Sequence, residues 1–143
     1  VISGEKTLLE KASILAKERG ARMVVPLRVD GAFHSDLMRP ASNRLSKELE
    51  TTPISKPNIP VVANIYAQYV REPGEIKVSL AKQLNSPVRW HQSIAMLIQD
   101  GFNQFYEIGP GKTLSGLMKR IDSAQEIKNI DTVEAFENIV KSN

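Results

Sequence analysis

The chain has only two histidines, and one of them, His34, stands where chemistry is expected. It lies in Gly31-Ala32-Phe33-His34-Ser35, a polar loop that follows an apolar run. An imidazole there can take and return a proton near neutral pH. A loop histidine can equally do no more than hydrogen-bond, and position alone leaves both roles open. Two further places have the same relation to an apolar run, Asn64 and the turn Gly109-Pro110-Gly111-Lys112. In open α/β sheets ligands bind beyond the carboxyl ends of the strands, so three such loops would share one crevice if their strands were neighbours. The sequence Gly111-Lys112-Thr113 invites a phosphate-loop reading, because N–H groups opening a helix bind anions. That motif requires a glycine where Tyr106 stands, so a tight strand-to-helix turn is the better reading. His91 and Trp90 fall within a helical stretch, His91 toward the surface and Trp90 toward the core. Neither histidine has a carboxylate cluster at metal-ligand spacing, and no metal site is expected.

The elements that would position these residues follow from apolar spacing. Leu8, Ala12 and Leu15 predict a helix over residues 4–19, with Ser3 as N-cap and Gly20 as stop. Met23, Val24, Val25, Leu27 and Val29 predict a strand buried on both faces. A second helix carries Leu37, Met38, Ala41, Leu45 and Leu49, with Pro40 in its first turn. A proline-rich loop and a short strand at residues 61–65 come next, then a helix bearing Ile76, Leu80 and Leu84. Ser86-Pro87 predicts the opening of a fourth helix, which turns Trp90, Ile94, Leu97 and Ile98 inward. Residues 102–108 read as a strand, and Leu114, Leu117, Met118 and Ile121 as a helix stripe. Asp131-Thr132-Val133-Glu134 is a capping-box pattern ahead of Phe136, Ile139 and Val140. Alternating strands and helices predict an α/β fold with a mostly parallel sheet flanked by helices.

Composition narrows the classes. The 143 residues suffice for one compact core, and 41% apolar with 24% charged residues is ordinary for a globular domain. No apolar run approaches the ~20 residues of a membrane-spanning helix. A net charge of +3 without a dense basic tract lends little to nucleic-acid binding, though it would speed encounter with an acidic protein. The absence of cysteine excludes disulfides and thiolate metal sites, and a cytoplasmic location is expected. The chain opens Val1-Ile2-Ser3-Gly4, with no signal peptide and no initiator methionine, which reads as an internal start.

Three blocks in order carry a resemblance. They are Gly31-Ala32-Phe33-His34-Ser35-Asp36-Leu37-Met38, Gln83-Leu84-Asn85-Ser86-Pro87-Val88-Arg89-Trp90 and Glu107-Ile108-Gly109-Pro110-Gly111-Lys112-Thr113-Leu114. Together they resemble the malonyl-CoA:acyl-carrier-protein transacylases, acyltransferases of fatty-acid and polyketide synthesis, over their C-terminal portion. The resemblance implies an enzyme that moves malonyl from malonyl-CoA to the phosphopantetheine thiol of acyl carrier protein. The nucleophile is a serine in Gly-His-Ser-x-Gly, with a histidine as general base and acid, and the only cofactor-like group is the coenzyme A thioester that serves as substrate. It implies that His34 is that histidine, oriented by the backbone carbonyl of Gln83. Asn64 corresponds to an asparagine near the active site, and Phe33 to a position that contacts the acyl group. Ala32-Phe33 resembles the malonyl-using rather than the methylmalonyl-using acyltransferases.

The resemblance also implies a division of the chain. Residues 1–20 correspond to the end of a ferredoxin-like small subdomain, and residues 21–143 to the C-terminal part of the large α/β-hydrolase-like subdomain. No Gly-x-Ser-x-Gly occurs, since Thr113 stands where Ser115 would need a glycine. The serine is therefore expected from a missing N-terminal segment of the same enzyme, a further partner of this chain. An acidic carrier protein implies a basic docking surface, for which Lys112, Lys119 and Arg120 are candidates, and ordinary solvated helix charge is their alternative. The competing function is a non-catalytic module that only binds carrier protein or another subunit. Neither nucleic acid nor membrane is an expected partner.

Overall fold

Helix-forming spacing and caps decide most of the local structure, seen here in a computed structural model that describes residues 1–142. The chain is α/β and divides into two compact units, Val1–Arg89 and Trp90–Asn143. In the first, α1 (Lys6–Glu18) stops before Gly20, whose φ of +86° suits a glycine stop. Its N-cap is Glu5 rather than Ser3, and no side chain caps it. A 3-10 turn, Asp36–Met38, leads into α2 (Arg39–Thr51), which carries its proline in the first turn. After it come β1 (Val61–Ala63), β2 (Gln68–Val70) and α3 (Pro73–Gln83). The last of these opens on a reciprocal capping box between Glu72 and Glu75, which satisfies two otherwise orphaned N–H groups. Leu49, Ile65, Val70 and Ala81 form the buried core of this unit. Buried Ser42 joins α2 to α3 by donating to the Ala81 carbonyl at 2.7 Å.

Two features of this unit differ from expectation. Residues 21–29 join no ladder among the described residues, the Val29 N–H donates back to the Leu27 carbonyl at 3.1 Å, and Met23, Val25, Leu27 and Val29 are all exposed. Strand propensity reports fitness for a sheet surface and does not supply a neighbouring strand. Conversely, β2 pairs antiparallel with β1 through the register Val61↔Val70, Val62↔Tyr69 and Ala63↔Gln68. The turn of this hairpin escapes a residue-type reading because Ala67, with no glycine or asparagine beside it, takes the left-handed conformation at φ +52°.

The second unit contains α4 (Trp90–Gln99), β3 (Gln104–Ile108), α5 (Thr113–Ile121), β4 (Glu126–Ile130) and α6 (Val133–Ser142). The fourth helix starts at Trp90, past Ser86-Pro87, so that dipeptide does not open it. Strand β4 was not expected. It pairs parallel with β3 from Gln104↔Glu126 to Ile108↔Ile130, making β3-α5-β4 a crossover unit. Helix α6 is capped by Thr132, whose Oγ1 accepts the Ala135 N–H at 3.1 Å, one residue later than the capping-box pattern placed it. Met118 is the most deeply buried large side chain, 1% exposed, and Ile94 lies in the same unit's core. No helix among the described residues is long and apolar enough to cross a membrane.

Candidate functional site

The end of α3 is where the site is built. A helix leaves its last carbonyls without intrahelical partners, and here the loop carrying His34 supplies donors. The His34 main-chain N–H donates to the Leu84 carbonyl at 2.9 Å. Its ring Nδ1 lies 2.9 Å from the Gln83 carbonyl oxygen. A carbonyl only accepts, so the hydrogen bond requires the proton on Nδ1 and leaves the Nε2 lone pair free. The Gln83 side-chain amide also comes within 3.5 Å of Nδ1, but it donates to the Ser86 carbonyl at 3.1 Å. Two donors cannot bond each other, so the shorter contact is the real one. Thus the main chain of Gln83 holds the ring while its side chain fastens the loop beyond α3.

His34 adopts φ +66°, an uncommon conformation for a residue with a side chain. Flanking bonds fix it. Ser35 Oγ donates to the Ala32 carbonyl at 2.6 Å, closing the loop around the histidine. Asp36 turns away and pairs with Arg39 at 2.6 Å, and both side chains are largely exposed. The ring of Phe33 lies against Gly31 so closely that a Cβ there would come within 2.8 Å of it. Phe33 itself is 46% exposed, next to an exposed His34. Asn64 is exposed at the start of the β1–β2 turn, and its carbonyl accepts the Arg89 N–H at 2.9 Å. The Arg89 Nε donates to the Ile65 carbonyl at the same distance, so the turn is tied to the segment leaving α3. The open groove between α2 and α3, lined by Asp36, Arg39, Asn43, Lys82 and Ser86 among others, does not include His34.

In the second unit the Gly-Pro-Gly-Lys turn serves structure. Gly109 and Gly111 take φ +128° and +93°, which glycine alone adopts at little cost. The N-terminus of α5 is already occupied by the buried carboxylate of Glu107. It accepts the Leu114 and Ser115 N–H groups at 2.8 Å each and the Ser115 hydroxyl at 2.5 Å. Asn129 of β4 donates to the same carboxylate at 3.3 Å and to the Gly111 carbonyl at 2.8 Å. The Ser115 hydroxyl, with help from the backbone N–H donors, holds the Glu107 carboxyl below the usual range against the opposing effect of burial. A phosphate would have to displace this internal anion.

Lys112 is the N-cap residue of α5, and Lys119 and Arg120 lie in its last turn, where positive charge also complements the helix dipole. His91 is exposed on α4, and the half-buried Trp90 buries its indole N–H without an acceptor among the described residues. Neither Glu107 nor Asn129 was singled out from the sequence. An acidic residue on a strand carries no mark of the helix it will cap.

An α/β protein that holds one nitrogen of an exposed imidazole on a main-chain carbonyl and leaves the other free has the arrangement that acid–base chemistry requires. Comparison with known proteins is specific. No family model matches the chain. Over 142 residues, 99% of its length, it is 42% identical to the malonyl CoA-acyl carrier protein transacylase of Bacillus subtilis, spanning 45% of that protein. It is 40% identical over 136 residues to the transacylase of Haemophilus influenzae, covering 95% of this chain and 44% of the relative. Among solved structures, the acyl-carrier-protein S-malonyltransferase of Burkholderia pseudomallei superposes with a TM-score of 0.91 at 38% identity, over 96% of this chain and 45% of that one. A malonyl-transacylase solved in complex with a type II PKS acyl-carrier protein gives 0.93 at 33% identity, over 98% of this chain and 45% of that one. Over nearly its whole length the chain is similar to malonyl CoA-acyl carrier protein transacylases, and it spans about 45% of the length of the curated relatives it matches.

Proposed function

We propose that this chain is the C-terminal portion of a transacylase that moves malonyl from malonyl-CoA to acyl carrier protein, with His34 as its general base and acid. The single observation that carries the reading is the 2.9 Å contact between His34 Nδ1 and the Gln83 carbonyl, which leaves Nε2 free for a proton. In the first half-reaction the serine supplied by the rest of the enzyme gives its hydroxyl proton to Nε2. The serine Oγ bonds to the thioester carbonyl carbon, the C–S bond breaks, and the departing coenzyme A sulfur takes the proton back. In the second half-reaction the phosphopantetheine thiol gives its proton to Nε2 and its sulfur attacks the malonyl-serine. The serine C–O bond then breaks and Oγ is reprotonated. The thioester is itself the activated donor, so no cofactor is required.

Phe33 sits beside the base and borders the acyl group, and Asn64 supports the substrate side of the site. Residues 1–20 belong to a ferredoxin-like subdomain and residues 21–143 to the large α/β subdomain, and the enzyme acts in the cytoplasm. The test joins this chain, in the relative's own chain order, to the part of the Bacillus subtilis transacylase that it does not span. Malonyl transfer to holo acyl carrier protein is then measured. The joined protein is expected to transfer malonyl, and His34→Ala to lower the rate at least ~10²-fold. An unchanged rate in a folded His34→Ala protein overturns the assignment.

A further inference from the structure

A turn sets the backbone of His34. Phe33 and His34 are its central residues, and of the two only His34 has a positive φ, +66°. That sign pattern belongs to a type II turn, whose second central position is ordinarily filled by glycine or asparagine. Glycine would be relaxed there but could move no proton, so the imidazole occupies a place that its own Cβ disfavours. Relaxation to negative φ would swing the ring off the Gln83 carbonyl, which Nδ1 meets at 2.9 Å. Two contacts across the turn oppose that movement. The Phe33 ring folds back on Gly31, where any Cβ would come within 2.8 Å of it. Ser35 Oγ donates to the Ala32 carbonyl at 2.6 Å, bridging the two residues in between. The direction of this bond is unusual for its place. Ser35 is the N-cap residue of the 3-10 turn Asp36–Met38, where a serine oxygen commonly accepts an N–H from the turn ahead. Here it caps nothing and donates backward across the histidine.

We propose that Ser35 is a positioning residue for His34, its hydroxyl clamping the turn in the left-handed conformation that sets Nδ1 on the Gln83 carbonyl. The role deepens, and rests on, the general-base assignment made above. The His34 N–H, bonded to the Leu84 carbonyl at 2.9 Å, anchors the loop to α3, and the hydroxyl fixes how the anchored turn presents its ring. The neighbouring Asp36 offers no second clamp, because its carboxylate is paired with Arg39. Ser35 acts through the histidine, so its removal lowers the fraction of enzyme whose base is in place rather than the affinity for substrate.

The joined enzyme described above serves for the test. Ser35→Ala is expected to lower kcat at least about fivefold, the population shift that loss of one hydrogen bond produces, with KM for malonyl-CoA changed less than about twofold. Ser35→Thr keeps the hydroxyl on an extended backbone that suits a β-branched residue, and it should restore most of the rate. A second readout does not depend on activity. With 15N-labelled histidine, the His34 ring signals, assigned by their loss in His34→Ala, report which nitrogen carries the proton. The parent should show the Nδ1–H tautomer and Ser35→Ala a mixture of the two. An unchanged tautomer in folded Ser35→Ala overturns the inference, as do equal losses of rate in Ser35→Ala and Ser35→Thr. Where His34→Ala lowers transfer as expected, an unchanged kcat in Ser35→Ala removes the clamp and leaves the base in place. Where His34→Ala leaves transfer unchanged, the base falls and the tautomer alone decides the clamp.

Discussion

At the scale of single residues, the orienting group of His34 is an uncharged carbonyl, and that has measurable consequences. Asp36 is the nearest carboxylate in sequence, but it is committed to Arg39 at 2.6 Å on an exposed surface. An exposed pair of this kind contributes little to stability. In the joined enzyme Asp36→Asn is therefore expected to lower malonyl transfer less than about tenfold, against the ~10⁴-fold loss that follows removal of a triad aspartate. Gln83→Ala should keep most of the activity, because the carbonyl remains and only the 3.1 Å bond to Ser86 is lost. A steady-state comparison of the two variants checks both outcomes, and a severe Asp36→Asn defect in folded protein would show that the carboxylate, not the carbonyl, orients the ring. Phe33 bears on selectivity. Its ring lies against Gly31, and on the proposed assignment it borders the acyl group, so Phe33→Ser would make room for an α-methyl branch. One methyl group discriminates by only ~1–3 kcal/mol, so this substitution should raise methylmalonyl transfer relative to malonyl by roughly tenfold or more without abolishing the latter. The ratio of kcat/KM for the two thioesters measures it.

At the scale of elements, Glu107 binds strand β3 to helix α5, and its ionisation couples that joint to pH. The Ser115 hydroxyl and the helix N–H groups favour its charged form, so the folded carboxyl titrates below its usual range. Its contribution is fully present above the unfolded value of about 4.3 and is lost as pH falls through the lowered folded value. Glu107→Gln should thus lower the thermal midpoint near neutral pH, with the difference from the parent shrinking in acid. A constant difference across that range would assign the effect to packing instead. This joint also marks a limit of sequence reading. The helices were legible because apolar spacing and Pro40 act within a few residues of where they stand. Strands were less so, since residues 21–29 have strand composition but no ladder partner among the described residues, whereas β2 and β4 have partners the residue types do not announce. His34 stood out by type and position, but Gln83 was nameable only through the family resemblance, since a main-chain acceptor leaves no trace in residue identity.

At the scale of the whole molecule, the chain has no serine elbow of its own, and a base without nucleophile or oxyanion donors stabilises no acyl-transfer transition state. The 143-residue chain by itself is therefore expected to show no malonyl transfer above a protein-free control, and robust transfer by it would overturn the division of labour proposed here. Partner choice belongs to the same scale. The net charge of +3 favours encounter with an acidic carrier protein, and Lys112 precedes α5 as its N-cap while Lys119 and Arg120 lie in its last turn. Two of the three also complement the dipole at the end of that helix, so reversing them would perturb stability whether or not they meet a partner. Salt dependence separates the two roles. Charges at the rim of an interface act mainly on association rate and are screened beyond about 10 Å at 0.1 M salt, whereas a helix-end contribution does not distinguish one acyl acceptor from another. In the joined enzyme, Lys119→Glu with Arg120→Glu should raise KM for carrier protein several-fold at low salt and much less at high salt, with KM for malonyl-CoA little changed. Equal changes in both constants, or no salt dependence in the parent, would place the carrier-protein surface elsewhere.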